Sequence, residues 1–458
     1  MTDWTQYKGD PTHTGYRPTL DGPMRIEEAW SATLNGVVGS PVLDHAAVYV
    51  GTDAGNLYAF DRDDGHRRWV HETIRATGAT PVAADDHVFF VTEDAVVTAL
   101  ETIDGREVWS ASADELFEGA PRPSDLESGS AANSGDTDAT VTDGVTDSGD
   151  THRGDTESAK TNRGGTDTGR TNGETTDEAE LEKSAAKFIR TPSTVGSSID
   201  TSPTSPANGN ASNPPDSPPD PAVAFDRGTL FVAIERGLLT IESSTGQPLW
   251  AAETDAPVVG VPAVDDRRVY VGTTGGSILA LDVETGSTVW EAPTSTSLVG
   301  GPTLTDDRVY VATAGGTLLA LDGETGQTYF TYDARTAFTS SPTVVEESVF
   351  VPGADGYLHV TDTTFGNRKL RGLLFSKKGI SLDGTADTDP VVAGEVLCLG
   401  DSSRRLYGID ALDPEFLWHH TFDAPVSSTP ALAPDRLFVG LENATLCCLR
   451  GDPDARRA

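Results

Sequence analysis

The sequence predicts an all-β fold: an eight-bladed β-propeller of four-stranded antiparallel blades, closed by an N-terminal strand and interrupted by a long disordered acidic insert. Three observations predict it. The chain repeats itself about every 40 residues, each repeat consists of short apolar runs separated by Gly and Asp turns, and the last repeat lacks an outer strand that a stretch ahead of the first repeat can supply.

The repeat is plain when VYVGTDAGNLYAFDRDDGHRRW (48–69), VYVGTTGGSILALDVETGSTVW (269–290) and VYVATAGGTLLALDGETGQTYF (309–330) are set side by side. Trp69 and Trp109 are 40 residues apart, as are Trp250, Trp290, Phe330 and Leu370 in turn, and Trp418 ends the next unit. A small residue and Pro open each unit, at Pro41, Pro81, Pro121, Pro262, Pro302, Pro342, Pro390 and Pro430. Runs such as SPVL, VYVG and LYAF have strand length and composition, and no helical periodicity separates them. A four-stranded meander cannot bury both faces alone, whereas a radial array packs sheet on sheet. The final unit ends at Arg450 without a Gly turn or Trp, while Trp30 has no strands before it. Residues 26–34 are therefore expected to form the outer strand of the last blade and latch the ring.

The spacing Ala59-x-Asp61-x-x-x-Gly65-x-x-x-Trp69, repeated at Ala280, Asp282, Gly286 and Trp290 and weakened to Ala320, Asp322, Gly326 and Phe330, resembles the tryptophan-docking motif of quinoprotein-type (PQQ-like repeat) β-propellers. The chain is similar in fold to the propeller subunits of outer-membrane assembly machinery, the BamB-like propellers. The resemblance implies eight blades, with Trp30, Trp69, Trp109, Trp250, Trp290, Phe330, Leu370 and Trp418 wedged between neighbours as structural docking residues.

Trp109 and Trp250 are 141 residues apart, one repeat plus 101. Excising residues 122–222 restores the third repeat. The excised stretch is nearly all Ser, Thr, Gly, Asp, Asn and Pro, a composition that cannot bury enough surface to offset its ordering entropy. The chain thus divides into 1–121 (latch strand, blades 1 and 2, start of blade 3), 122–222 (insert), 223–450 (rest of blade 3 to blade 8) and a tail, 451–458. Within the insert KSAAKFIRTP places Phe188 and Ile189 among three basic residues, a candidate docking peptide. A second irregularity, FGNRKLRGLLFSKKG (365–379), carries Arg368, Lys369, Arg371, Lys377 and Lys378 and no acid, and Pro390 arrives eight residues late. The reading is a long connection into blade 7, opening on the same mouth of the ring as the insert.

Cys447 and Cys448 are adjacent, and in quinone-dependent dehydrogenases such a pair closes a ring over the cofactor. Here the repeat register puts Cys448 in the small-residue column of Ala59, Ala99, Thr240 and Ala280, and Cys447 on the opposite face of the same strand. Together with Cys398 they read as buried structural thiols. The residues preceding the repeat prolines, Ser40, Thr80, Ala120, Val261, Gly301, Ser341, Asp389 and Thr429, are expected nearest the axis, and only Asp389 ionises. DRDDG (61–65) is an ordinary hairpin turn, with too few oxygens for calcium. His419 and His420 are strand neighbours and face opposite ways. No catalytic, cofactor-binding or metal-ligating residues are assigned.

With 71 acidic and 33 basic residues the formal charge is −38. That excludes a phosphate-binding surface and hence duplex nucleic acid, and no segment is long and apolar enough to span a bilayer. At 1 M salt, screening acts within about 3 Å, so the charge suits a salt-adapted cell. The N-terminus carries neither a secretory signal nor a lipoprotein anchor, which places the protein in the cytoplasm as an expectation. The functional expectation is a non-catalytic, monomeric platform for an unidentified protein partner. The alternatives are a quinone-dependent oxidoreductase, which would take pyrroloquinoline quinone with calcium, and a small-ligand binder using the central channel.

Overall fold

A computed structural model describes residues 4–77, 80–126, 219–370 and 379–452. The described chain forms eight four-stranded antiparallel blades arranged as a propeller, the sheet of blade 7 carrying one further two-residue strand, Tyr16–Arg17. Blade 4 is typical: inner strand Val258–Val264, then Arg268–Thr273, Ser277–Asp282 and outer strand Thr288–Pro293. In blade 8 the outer strand is Arg25–Thr33, which pairs antiparallel with Thr445–Asp452 from Arg25↔Asp452 to Thr33↔Thr445. The ring is therefore closed by hydrogen bonds between the two ends of the chain.

The hydrophobic core lies between blades. Ala263, Tyr270, Trp290, Leu298, Val309 and Leu321, for example, form one buried cluster shared by blades 4 and 5. Tyr310, Phe330, Val344 and Val351 form the next, shared by blades 5 and 6. A single large cluster crosses the closure, joining blade 7 (Cys398, Leu406), blade 8 (Phe438, Cys448) and blade 1 (Val48, Phe60), with Trp30 against it.

At six of the eight interfaces an aromatic ring lies on the hairpin of the following blade. Trp30, Trp69, Trp109, Trp250 and Trp290 cover Gly65, Gly105, Gly246, Gly286 and Gly326, where a β-carbon would stand only 2.5–2.9 Å from the indole. These glycines also hold φ between +70° and +74°, which an L side chain rarely adopts. The indole N–H then donates to a carbonyl of the same hairpin: Arg62, Thr102, Ser243, Val283 and Gly323, at 2.9–3.3 Å. Phe330 covers Gly366 in the same way without the hydrogen bond. Leu370 faces blade 7, whose hairpin 410–415 has no glycine. Trp418 faces the chain-end junction of blade 8 and donates to Pro23 O at 2.6 Å. Beside each ring, the small-residue column pairs across the sheet: Ala59↔Trp69, Ala280↔Trp290 and Cys448↔Trp30.

Two expectations about the irregular stretches are corrected. Ala120–Pro121 does not open the third inner strand, which is Ala222–Asp226. The chain instead forms the helix Ala113–Gly119, buries Phe117 between blades 2 and 3, and runs to the outer edge of blade 3, where Ala251 N donates to Pro121 O. The amphipathic run ADELF, capped by Ser112, reads as a helix once its buried side is known. The late Pro390 is likewise not due to a longer connection into blade 7. The outer position of blade 6 starts normally, with Thr361 bridged to Arg368, and is also held by Gly379–Ser381, so the delay falls between Leu370 and Gly379, ahead of the connection into blade 7. Residues 219–221 still lead into the start of the inner strand Ala222–Asp226, whereas both described flanks of the basic stretch lie on the outer strand of blade 6, so the two stretches do not share an origin at inner-strand starts. Residues 127–218, with Phe188 and Ile189, and residues 371–378, with Arg371, Lys377 and Lys378, lie outside the described residues.

The three cysteines are free and buried. Burial pushes the Cys447 thiol up to about 12 and Cys448 to about 11, so neither is a reactive thiolate at neutral pH. Cys447→Val with Cys448→Ala is expected to cost less than about 1.5 kcal/mol in urea unfolding. Gly286→Ala, which adds a β-carbon against the Trp250 ring at positive φ, is expected to cost about 2 kcal/mol or more. The reverse order of the two variants would contradict this account of the interface.

Candidate functional site

Because strands pair along blades, every inner strand presents one unpaired edge to the ring axis. Unpaired buried amides are costly. The structure satisfies them with residues 4–17, a segment outside the repeat that the sequence reading had not assigned to the axis. Six equivalent inner-strand amides donate to it. Leu43 N donates to Trp4 O (2.7 Å), Ala83 N to Thr5 O (2.7 Å), Val264 N to Pro11 O (2.7 Å), Leu304 N to Thr12 O (2.9 Å) and Val392 N to Gly15 O (2.7 Å). Phe225 N donates to the Gln6 side-chain oxygen (2.9 Å), whose amide nitrogen returns a bond to Phe225 O (3.0 Å). Tyr16–Arg17 then pairs parallel with Val392–Ala393 of blade 7. The segment winds around one mouth of the ring, taking a contact from blade after blade.

Its side chains fill the axis. Trp4, Tyr7, Lys8 and His13 are buried, at 2, 8, 1 and 0% exposure. Tyr7 OH meets Ser341 Oγ at 2.8 Å, and its ring meets the His13 ring edge-on at 4.8 Å. Lys8 Nζ donates to Pro342 O (2.5 Å) and Thr303 Oγ (3.2 Å). His13 Nδ1 bonds Pro302 O at 3.0 Å, while its Nε2 has no hydrogen-bond partner among the described residues. Asp10 organises the segment, accepting from Thr12 Oγ, Thr14 N and Arg17. Gly9, at φ +89°, sits where a β-carbon would strike Trp4 and Arg17.

Burial sets the protonation of this cluster. It lowers Lys8 to about 8, against the opposing pull of Asp389 and Asp10, and lowers His13 to about 4, so the imidazole is neutral above pH 5. Burial, then Asp389, raises Tyr7 well above the ordinary phenol. Burial works to raise the Asp10 carboxyl too, but Arg17 and the Thr14 and Thr12 hydroxyls together hold it below the usual range.

The axial positions named from the sequence join the blades to one another. Asp389, 3% exposed, accepts from Ser341 N (2.8 Å) through one oxygen and Thr429 Oγ (2.8 Å) through the other. Thr429 N donates to Ser40 Oγ (3.1 Å), so a hydrogen-bonded chain runs through blades 6, 7, 8 and 1. Gly260, Gly300 and Gly301 bring the backbones of blades 4 and 5 into close contact. Ala120, which follows the helix Ala113–Gly119 with extended backbone, is absent from this set. A quinone with its calcium needs a metal-binding acid and amide, a catalytic carboxylate and cations for the quinone acids. The residues around the axis do not fit that group: Asp389 spends both oxygens on neighbouring blades, and Lys8 belongs to the segment that fills the mouth.

The remaining candidates belong to the blades themselves, Arg368 reaching from blade 6 to Tyr332 on the outer strand Thr328–Asp333 of blade 5. Arg368 donates from Nε to Tyr332 OH (3.1 Å), and Lys369 Nζ to Ser348 Oγ (2.8 Å). Asp61 of the acidic turn accepts from Asp63 N and Arg68, closing its hairpin. His419 and His420 lie on the outer strand Phe416–Thr421 of blade 7.

The Lys8 shift has a definite sign. Between pH 8 and 10.5 the unfolded chain holds a proton that the folded chain has released, so Lys8 makes stability rise with pH in that window. Lys8→Met is expected to be more stable than the parent at pH 7.5, with an advantage that shrinks by on the order of 3 kcal/mol by pH 10. Urea unfolding of both proteins at the two pH values checks this; a constant difference would contradict it.

The fold is shared widely. The chain resembles the crystal structure of BamB from Moraxella catarrhalis (TM-score 0.59, 14% identity, 94% of this chain and 99% of that one). It resembles a europium-containing methanol dehydrogenase (0.62, 11%, 98% and 98%) and the quinohemoprotein alcohol dehydrogenase from Comamonas testosteroni (0.64, 13%, 100% and 82%) to a similar degree. At these identities the likeness is one of fold. No curated protein matches the sequence. The profile of the family described as outer membrane protein assembly factor BamB matches residues 25–184, 194–300 and 276–449, and the chain belongs to that family of PQQ-like propellers.

Proposed function

We propose that this propeller is a non-catalytic platform for protein interaction, working in a salt-adapted cell. The observation that carries the reading is the axial mouth. Where a ring enzyme needs an open, polar cavity, this chain places Tyr7, Lys8 and His13 of its own N-terminal segment. The carboxylate expected at the axis, Asp389, is committed to interblade hydrogen bonds. The family description, which names an assembly factor, supports the same class of function. The charge of −38 supports the salt-adapted setting, because self-repulsion of that size is relieved by screening.

The test is a titration of the purified protein with pyrroloquinoline quinone and calcium ions, followed by the cofactor absorbance, at 0.1 M and 2 M KCl. No saturable change is expected at either salt, and the melting temperature is expected to rise with KCl. Saturable quinone binding with dye-linked oxidation of an alcohol or sugar would replace this reading with an oxidoreductase.

A further inference from the structure

We propose that the axial mouth is a receptor for an extended peptide, that Trp4–Arg17 occupies it as an exchangeable ligand, and that a partner segment of the same pattern, Trp-x-x-Tyr-Lys-Gly-Asp, enters by displacing it. The proposal rests on the platform reading and gives that platform a location and a ligand class.

The mouth recognises peptide backbone. The same amide in six blades, from Leu43 to Val392, points at the axis and takes five backbone carbonyls and one side-chain amide from the segment. Sheet edges that accept an added chain read backbone in this way and leave specificity to side-chain pockets. The pockets here hold Trp4, Tyr7 and His13, large rings of the kind that anchor interfaces.

The segment is built as a separate unit. Apart from Tyr16–Arg17, which add to the inner edge of blade 7, it belongs to no blade. Its own bonds, Gly9 N to Gln6 O, Gly15 N to Lys8 O and the three ligands of Asp10, hold its shape, which lowers the entropy lost on docking. A short link joins it to the latch strand at Arg25, and Pro18, Thr19 and Asp21 of that link are exposed.

It is also held with penalties that a permanent core segment does not need. The Lys8 ammonium is buried on a hydroxyl and a carbonyl, with no carboxylate at ion-pair distance among the described residues. Lys8 itself is left-handed at φ 52°. The buried His13 Nε2 goes without a partner among the described residues. Each feature weakens the hold of the segment without weakening the site that receives it.

The experiment uses the full chain with a protease recognition sequence inserted between Pro18 and Thr19. After cleavage, a fluorescein-labelled synthetic peptide of residues Trp4–Pro18 is added and its anisotropy followed, with native mass spectrometry for stoichiometry and circular dichroism for folding. The cut ring is expected to stay folded and to take up one labelled peptide saturably. Gly9→Val or Lys8→Glu in the peptide is expected to weaken uptake at least tenfold, and a scrambled peptide to fail. A folded cut ring that ignores the peptide, or takes the scrambled one equally, would overturn the proposal. So would a cut ring that unfolds, since the segment would then be core. No natural partner is needed in this assay, so quinone oxidation would defeat the platform reading while leaving the exchange result to stand or fall alone.

Discussion

Each blade is a sheet with two apolar faces, and the contact that satisfies both is the aromatic ring of one blade lying on the hairpin glycine of the next. The contact needs three residues at once: a flat ring, a glycine with no β-carbon at positive φ, and a small residue across the strand from the ring, such as Ala280 or Cys448. Where one partner is lost the others change with it. Leu370 faces a hairpin without glycine, and Trp418 faces the one junction where the hairpin is replaced by two chain ends. Since every interface depends on a neighbour, the ring has no stable free end, and the strand Arg25–Thr33 must complete the blade that the C-terminus begins.

Closing the ring creates a second problem, at the axis. Eight inner edges converge there with amides that water reaches poorly. The chain meets this twice over. Near the repeat prolines, Ser40, Ser341, Asp389 and Thr429 tie blade to blade through side-chain hydrogen bonds. Further along the inner strands, residues 4–17 supply the missing acceptors. The space at the axis is occupied by the polypeptide itself. The fold by itself fixes no function, since many activities share it.

Surface and interior follow different rules in this chain. Among the described residues the buried acids are Asp389, Asp401 and Asp410, and Asp side chains such as Asp61 and Asp282 act locally, closing hairpins through bonds to the next backbone amides. Cys448 sits where Ala59 and Ala280 sit in other blades, Cys447 where Tyr58 and Leu279 sit, and Cys398 where Tyr49 and Tyr270 sit, so each thiol fills a packing position of its strand and all three are free.

The sequence by itself determined the blade count, the four-strand unit, the docking column and the latch, because each is a periodic or near-neighbour property: 40-residue spacing, strand alternation and hairpin chemistry are local. Tertiary structure decided what periodicity cannot carry. Pro121 matched the repeat spacing, yet the burial of Phe117 drew its segment to an outer edge, and Val223 took its place near the axis. Eight residues delayed Pro390, and spacing alone could not say that the delay falls ahead of Gly379–Ser381, on the outer side of blade 6. The axial segment was the largest omission. Its signal was present, as Trp4, Tyr7, His13 and Tyr16 clustered with Gly9 and Gly15 outside any repeat. Its partners, however, are spread from Leu43 to Val392, and only the closed ring brings those amides to one place.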